Sequence, residues 1–190
     1  MAYFTSERER RLWFWALAVL TAIYATLPFA GALAAVLRAR ALLNASFALA
    51  FLLVIAAVAG SALRRRPGKR EIWVALGLTA VCGMVVVRMG IGPEERTHLF
   101  EYGLLAVLIH QALTERAQHG RPVPFKATLA VAATALLGWI DEGIQSLLPN
   151  RVYDLRDVGI NALAGLMAIA GSLALARARR WDIVQSRSPR

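Results

Sequence analysis

The chain has 190 residues, of which 58% are hydrophobic, and its formal net charge at pH 7 is +10. This apolar share is well above that of ordinary soluble domains, which favours a membrane protein. The basic residues cluster at the ends of apolar runs, so the charge indicates membrane topology rather than nucleic-acid binding. The single cysteine, Cys82, excludes an intrachain disulfide and a zinc–cysteine cluster.

Six apolar stretches follow one another along the chain, and a membrane-spanning helix needs about 20 such residues. They cover residues 12–37, 42–63, 72–91, 98–113, 127–148 and 158–176. The first is longer than the apolar segment of a secretory signal, about 7–15 residues, so we interpret it as a retained span. The fourth is the shortest and carries polar residues. The pattern predicts an all-α polytopic transmembrane bundle of about six spans.

The distribution of Lys and Arg predicts the orientation of these spans. In a six-span arrangement one side holds 16 of the 22 Lys and Arg residues, and the other side holds 6. Since positive residues concentrate on the cytoplasmic side, both termini should be cytoplasmic. We divide the chain into an N-terminal three-span region (1–93), a three-span core with a polar site (94–176) and a basic cytoplasmic tail (177–190).

The acidic residues of the core fall near the ends of its three spans on the outer side. His98, Glu101 and Tyr102 are spaced three and four residues apart, so they share one helical face. Asp141 and Gln145 are one turn apart in the next span, and Glu142 is rotated from Asp141 by about 100°. The remaining polar residues belong to the last loop and last span: Arg151, Asp154, Asp157 and Asn161. Ionisable groups at membrane depth are costly and usually functional, so this pattern predicts one outward-facing polar site.

Two interpretations of these residues remain open. They could form a polar clasp that neutralises itself and holds three helices together, each interhelical pair contributing about 0.6 kcal/mol. Alternatively, the carboxylates outnumber the nearby cations and cannot all ionise cheaply, so a shared proton, a cation or a cationic ligand would relieve their repulsion. We favour the second interpretation. No HExxH or GxSxG motif is present, and no cofactor or metal is assigned.

The ordered set of polar residues resembles the VanZ-like family of bacterial membrane proteins. The resemblance covers about residues 94–172 and rests on His98-x-x-Glu101-Tyr102, Asp141-Glu142-x-x-Gln145, Pro149-x-Arg151, Asp154, Asp157 and Asn161 with Gly165. Asn150 stands where a glycine commonly precedes the arginine. The family's namesake is associated with resistance to teicoplanin, and most members have no established activity. The resemblance implies a multi-pass protein of the bacterial cytoplasmic (inner) membrane that acts at the cell envelope.

We therefore expect a site that binds or modifies an amphiphilic envelope molecule. Its expected partners are membrane lipids and a lipid-linked cell-wall precursor or lipoglycopeptide, with no nucleic acid. The expected catalytic residues are His98, Glu101, Asp141 and Glu142. The expected substrate-binding residues are Tyr102, Gln145, Arg151, Asp154, Asp157 and Asn161. The alternative is a non-enzymatic structural partner or a proton-coupled carrier in which the acidic residues only join helices.

Overall fold

The computed structural model describes residues 3–42, 45, 48–49, 52, 67–88, 93–148 and 153–187. Five helices have defined bounds: α1 (Glu7–Ala39), α2 (Lys69–Arg88), α3 (Pro93–Gln118), α4 (Lys126–Gln145) and α5 (Leu155–Arg187). No strand occurs among the described residues. The predicted all-α architecture is therefore confirmed.

The helices extend beyond the apolar stretches that predicted them. α1 runs through Pro28 without interruption, and α5 continues past Ala176 to Arg187, through most of the predicted basic tail. Polar residues at helix ends do not interrupt backbone hydrogen bonding, so apolar content alone underestimates helix length. Most of the second predicted span, residues 42–63, lies outside the described residues.

Within the residues that the structure describes, three helical segments are long and apolar enough to cross a membrane: Glu7–Phe29, Lys126–Gln145 and Leu155–Gln185. Large apolar side chains on these segments are exposed, among them Phe14, Leu136 and Leu166, while several charged side chains are buried. This distribution is the reverse of that in a soluble domain, where charged residues are almost never fully buried. The chain is therefore a membrane protein, with three candidate spans in its described part.

The described chain divides into two compact units, Met1–Leu33 with Glu94–Ile169, and Ala34–Pro93 with Ala170–Arg190. Residues 1–33, which the sequence assigned to a separate N-terminal region, thus cluster with residues 94–169. The first unit has an apolar core to which all four of its helical segments contribute, including Ile23, Leu105 and Ala164. It is the unit that carries the predicted polar site.

Small residues let the helices of the first unit approach closely. A Cβ atom on Gly138 of α4 would lie 2.7 Å from the Cβ of Asn161 on α5. A Cβ on Gly165 of α5 would lie 3.2 Å from Thr134 Cγ2 and 3.4 Å from Ala106 Cβ. A larger residue at Gly138 would therefore force a shift, and one at Gly165 would be tightly packed; small residues at helix contacts are common in helical membrane proteins.

Contacts between helix ends define two opposite ends of the first unit. Ser6, just before α1, contacts Glu115 near the end of α3. Tyr102 near the start of α3 contacts Asp141 near the end of α4. α3 is therefore antiparallel to both α1 and α4, and the polar site lies at the end where α3 begins.

The turn between α3 and α4 explains how the chain reverses direction. Gly120 has a positive φ of 83°, and the Arg121 N–H donates to the carbonyl of Arg116. This is the glycine-dependent pattern that commonly ends a helix. Pro122 and Pro124 follow in the connecting segment, where each lacks the backbone N–H that a continuing helix needs, and α4 begins only at Lys126.

The second unit is held by polar contacts between α2 and the end of α5. The Glu71 N–H donates to Asp182 Oδ2 over 3.3 Å, so a side chain from α5 caps the first turn of α2. Arg179 donates to Glu71, and the guanidinium of Arg70 lies 5.3 Å from the Trp181 ring centre. These pairs join two elements that are distant in sequence.

Candidate functional site

Asp141 is the central residue of the site, and its side chain is 0% exposed. The hydroxyl of Tyr102 donates to Asp141 Oδ2 over 2.8 Å. His98 Nδ1 lies 3.7 Å from the same oxygen, a distance of ion pairing rather than of hydrogen bonding. Asp141 Oδ1 makes no hydrogen bond among the described residues. The site thus holds a buried carboxylate with one of its two oxygens unused.

His98 connects Asp141 to a second carboxylate. Its Nδ1 atom lies 3.6 Å from Glu101 Oε2, one turn along α3. The Glu101 side chain is 38% exposed and that of His98 is 15% exposed. Glu101 therefore lies at the rim and Asp141 at the base, with the imidazole within reach of both. An imidazole between two carboxylates can accept a proton or pass one between them.

Glu142 forms the other half of the site, next to Asp141 on α4. Its Oε1 accepts a 3.4 Å hydrogen bond from Gln145 Nε2, and its Oε2 accepts a 3.3 Å bond from the Asp154 N–H. Glu142 is 2% exposed and interacts electrostatically with Asp141, Asp157 and His98. Among the described residues, neither Asp141 nor Glu142 has a Lys or Arg partner.

Asn161 of α5 is 1% exposed, and both its amide nitrogen and its carbonyl oxygen lack hydrogen bonds among the described residues. It packs against Gly138, which lies one turn before Asp141 and Glu142. A buried amide without partners loses its hydration without compensation. Asn161 therefore offers an unused donor and acceptor at Gly138, one turn along α4 from the two carboxylates.

The remaining predicted residues have different positions. Asp154 is exposed and caps α5, since its Oδ1 accepts from the Arg156 N–H over 2.8 Å. Asp157 is half-buried and interacts electrostatically with Glu142. Arg151 lies outside the described residues. We use the name acidic site for the residues that the described structure brings together: His98, Glu101, Tyr102, Asp141, Glu142, Gln145 and Asn161.

Tyr24 of α1 belongs to the surroundings of this site and was not identified from the sequence. Its hydroxyl donates to the Leu137 carbonyl over 2.8 Å, and it interacts electrostatically with Asp141. A tyrosine in a long apolar stretch carries no motif, so no sequence signal marked it. Trp139, two residues before Asp141, is exposed and donates to the Tyr153 hydroxyl over 2.9 Å.

A second polar cluster lies at the opposite end of the first unit. Glu9 is 0% exposed and pairs with Arg116 Nε over 2.6 Å. It also accepts from the backbone and the hydroxyl of Thr5, each over 2.7 Å. Ser6 caps the first turn of α1 and donates to Glu115 over 3.0 Å. We name these five residues the Glu9–Arg116 cluster; within the described residues, all its buried side-chain oxygens and nitrogens are hydrogen-bonded.

The described residues contain no group of three or more His, Cys, Asp or Glu side chains arranged to hold a metal ion. What the acidic site provides is a set of hydrogen-bond acceptors, one imidazole and one free amide. This set can accept protons or bind a group that donates several hydrogen bonds.

Comparisons with protein families, curated proteins and solved structures found no match to this chain.

Proposed function

We propose that the chain is a six-span, VanZ-like protein of the bacterial cytoplasmic membrane, with both termini in the cytoplasm. α3 supports a span beyond the three candidates. Its 26 residues correspond to about 39 Å of helix, which exceeds the thickness of a bilayer's apolar core, about 30 Å. The 18 residues between His98 and Arg116 correspond to about 27 Å. The two polar clusters are thus separated by about one membrane thickness.

In this proposal the acidic site faces outward and binds or modifies an amphiphilic envelope molecule, a lipid head group or a lipid-linked precursor. The single observation that carries the proposal is Asp141, a fully buried carboxylate with an unbonded oxygen. Burying such a group without a partner is costly unless another molecule completes its hydrogen bonds. The partly exposed Glu101 gives that molecule a path to the site.

Each residue has a role in this proposal. His98, Glu101, Asp141 and Glu142 transfer protons or hold a cationic group. Arg151 and Arg156 hold anionic groups, as arginines do for phosphate and carboxylate. Tyr102 and Gln145 orient the two carboxylates to which they donate hydrogen bonds.

The rival function is a structural clasp, and specific contacts favour it in part. Both carboxylate oxygens of Glu142 accept hydrogen bonds, one from the Gln145 amide and one from the Asp154 N–H. The bond from Asp154 joins α4 to the start of α5. These contacts account for Glu142 but leave Asp141 Oδ1 and Asn161 without partners among the described residues. A clasp needs its polar atoms paired, so we prefer the binding function.

The orientation is tested by cysteine labelling in a variant that lacks Cys82. Leu147 after α4 and Arg121 between α3 and α4 are both exposed. A membrane-impermeant maleimide added to intact cells should label L147C and leave R121C unlabelled. Labelling of R121C from outside would contradict the proposed topology. Gly68 is unsuitable as a labelling site, because a Cβ there would collide with Asp182.

The binding function is tested by purifying the full chain from bacterial membranes and identifying retained amphiphiles by mass spectrometry. The wild type should retain an envelope lipid or precursor that D141N and H98A lose. The matched control is E115Q, which removes a buried carboxylate at the other end of the same helix α3. Equal retention by the wild type, D141N and H98A would contradict the proposal.

A further inference from the structure

We infer that the acidic site selects amphiphiles carrying a primary ammonium group. This inference rests on the proposed function and adds the chemical class of the ligand's polar group. It follows from which hydrogen-bonding atoms the site leaves unused and from the sign of the charge around them.

The first observation is the excess of acceptors over donors. The site contributes three carboxyl groups, those of Glu101, Asp141 and Glu142. A carboxyl group that is ionised only accepts hydrogen bonds. The donors from described residues to Asp141 and Glu142 are the Tyr102 hydroxyl, the Gln145 amide and the Asp154 backbone N–H. Asp141 Oδ1 remains without a donor among the described residues. A primary ammonium brings three N–H donors and no acceptor, so it complements such a set.

The second observation is Asn161, which is independent of the charge. Its carbonyl oxygen is an additional buried acceptor, and neither this oxygen nor the amide nitrogen has a hydrogen bond among the described residues. It comes from α5, whereas Asp141 and Glu142 come from α4, and close packing on Gly138 holds it in place. Because this oxygen is an unbonded neutral acceptor one helical turn from the carboxylates along α4, a ligand that satisfies it must donate a hydrogen bond, which a cation without N–H groups cannot do.

The third observation is the charge balance. Asp141 is in ion-pair range of His98 but has no Lys or Arg partner in the described part of the chain. The Glu9–Arg116 cluster shows that this chain does bury a carboxylate directly against a guanidinium. At the acidic site the described residues supply no such cation to the buried acids, and a ligand ammonium would provide the missing positive charge.

Two sources offer this chemistry at an outward-facing site: an aminophospholipid head group and the free amine of a lipid-linked precursor. Both combine an ammonium with an apolar anchor, which suits a site within a few residues of the ends of α3 and α4. The experiment distinguishes them by comparing each amine with a blocked form of the same molecule.

The purified full chain is mixed with equal amounts of phosphatidylethanolamine, phosphatidylcholine and phosphatidylglycerol that share the same acyl chains. Bound lipid is counted by native mass spectrometry. Trimethylation keeps the positive charge of the head group and removes its N–H donors, so the ethanolamine-to-choline ratio isolates hydrogen bonding. A parallel arm compares a polyprenyl-linked peptide precursor that has a free amine with its N-acetylated form.

The wild type should prefer the free amine over the blocked form by about tenfold in one of the two arms, as expected for one charge-assisted hydrogen bond. D141N should reduce that ratio to about one, and N161A should lower it while keeping every carboxylate. E115Q should leave the ratio unchanged. Thermal unfolding of each variant checks that it is folded. If D141N does not fold, the ratio of free to blocked amine bound by N161A provides the test.

Two results would overturn the inference, and they differ in what they imply for the function. If the wild type binds blocked and free amines equally, but D141N still abolishes binding, the ammonium class is wrong and the proposed function stands. If no amphiphile binds in a manner that depends on Asp141, both are wrong.

Discussion

The first compact unit carries two polar clusters at opposite ends of helix α3, and they are built differently. In the Glu9–Arg116 cluster the buried carboxylate of Glu9 has a guanidinium at 2.6 Å and two donors from Thr5. In the acidic site the equally buried Asp141 has one tyrosine donor, an imidazole at 3.7 Å and an oxygen with no bond among the described residues. The first arrangement is complete by itself and the second is not.

Under the proposed function, the charges of the Glu9–Arg116 cluster are buried to stabilise the fold, and those of the acidic site are buried to bind a ligand. A paired and fully bonded ion cluster fixes the positions of α1 and α3, and removing one partner leaves the other charge uncompensated. A cluster with unused acceptors stabilises the fold less and gains from a ligand. The two clusters should therefore respond in opposite ways to loss of a carboxylate.

The largest effect is expected from breaking the paired cluster with R116A. The variant leaves the buried Glu9 carboxylate without its cation, and breaking such a pair costs about 3–5 kcal/mol when both partners are buried. Arg116 is partly exposed, so we expect a loss of about 2–3 kcal/mol in the free energy of unfolding. The measurement is an SDS titration followed by circular dichroism.

The control for R116A is R10A, which breaks the exposed pair between Arg10 and Glu7. Exposed pairs contribute about 0–1 kcal/mol, so R10A should differ little from the wild type. Equal losses in the two variants would show that the Glu9–Arg116 pair is not a structural link.

An intermediate effect is expected from adding a methyl group where α4 and α5 meet. In G138A the new Cβ would lie 2.7 Å from Asn161 Cβ, and overpacking of this kind costs about 1–3 kcal/mol. G143A on the same helix meets no atom within 4 Å and should be neutral or slightly stabilising, since alanine is the better helix former. Comparable unfolding curves for G138A and G143A would contradict the close helix contact behind the acidic site.

The smallest effect on stability is expected from Y102F. It removes the hydroxyl that bonds Asp141, and interhelical hydrogen bonds in membrane proteins contribute about 0.6 kcal/mol on average. Amphiphile retention should nevertheless fall, because Asp141 loses the group that orients it. Y24F, which removes a bond to the Leu137 carbonyl, serves as the control. A larger loss of retention in Y24F than in Y102F would contradict the orienting role of Tyr102.

Part of the site could be predicted from the sequence because helix geometry determines it. The three- and four-residue spacing of His98, Glu101 and Tyr102 puts them on one face, and a short turn makes α4 antiparallel to α3. Their proximity to Asp141 follows from those two facts. Asp154 was assigned to substrate binding from the sequence, whereas the structure shows it capping α5, a position that acidic residues commonly take directly before a helix.

Other features could not be predicted, since they depend on packing between segments distant in the sequence. Tyr24 and the Glu9–Arg116 pair involve α1, whose apolar stretch shows no pattern that selects a partner helix. The close fit of Gly138 against Asn161 depends on the register of α4 and α5. Charge counting also treated all buried acids alike, whereas the structure distinguishes the paired Glu9 from the incompletely bonded Asp141.

The central claim is that Asp141 is buried for binding and Glu9 for stability. The most direct test measures the free energy of unfolding and the amphiphile retention of D141N and E9Q side by side. We predict that E9Q loses about 1–2 kcal/mol of stability and keeps retention, while D141N keeps stability and loses retention. A D141N variant that is destabilised as much as E9Q, with retention intact, would contradict the account.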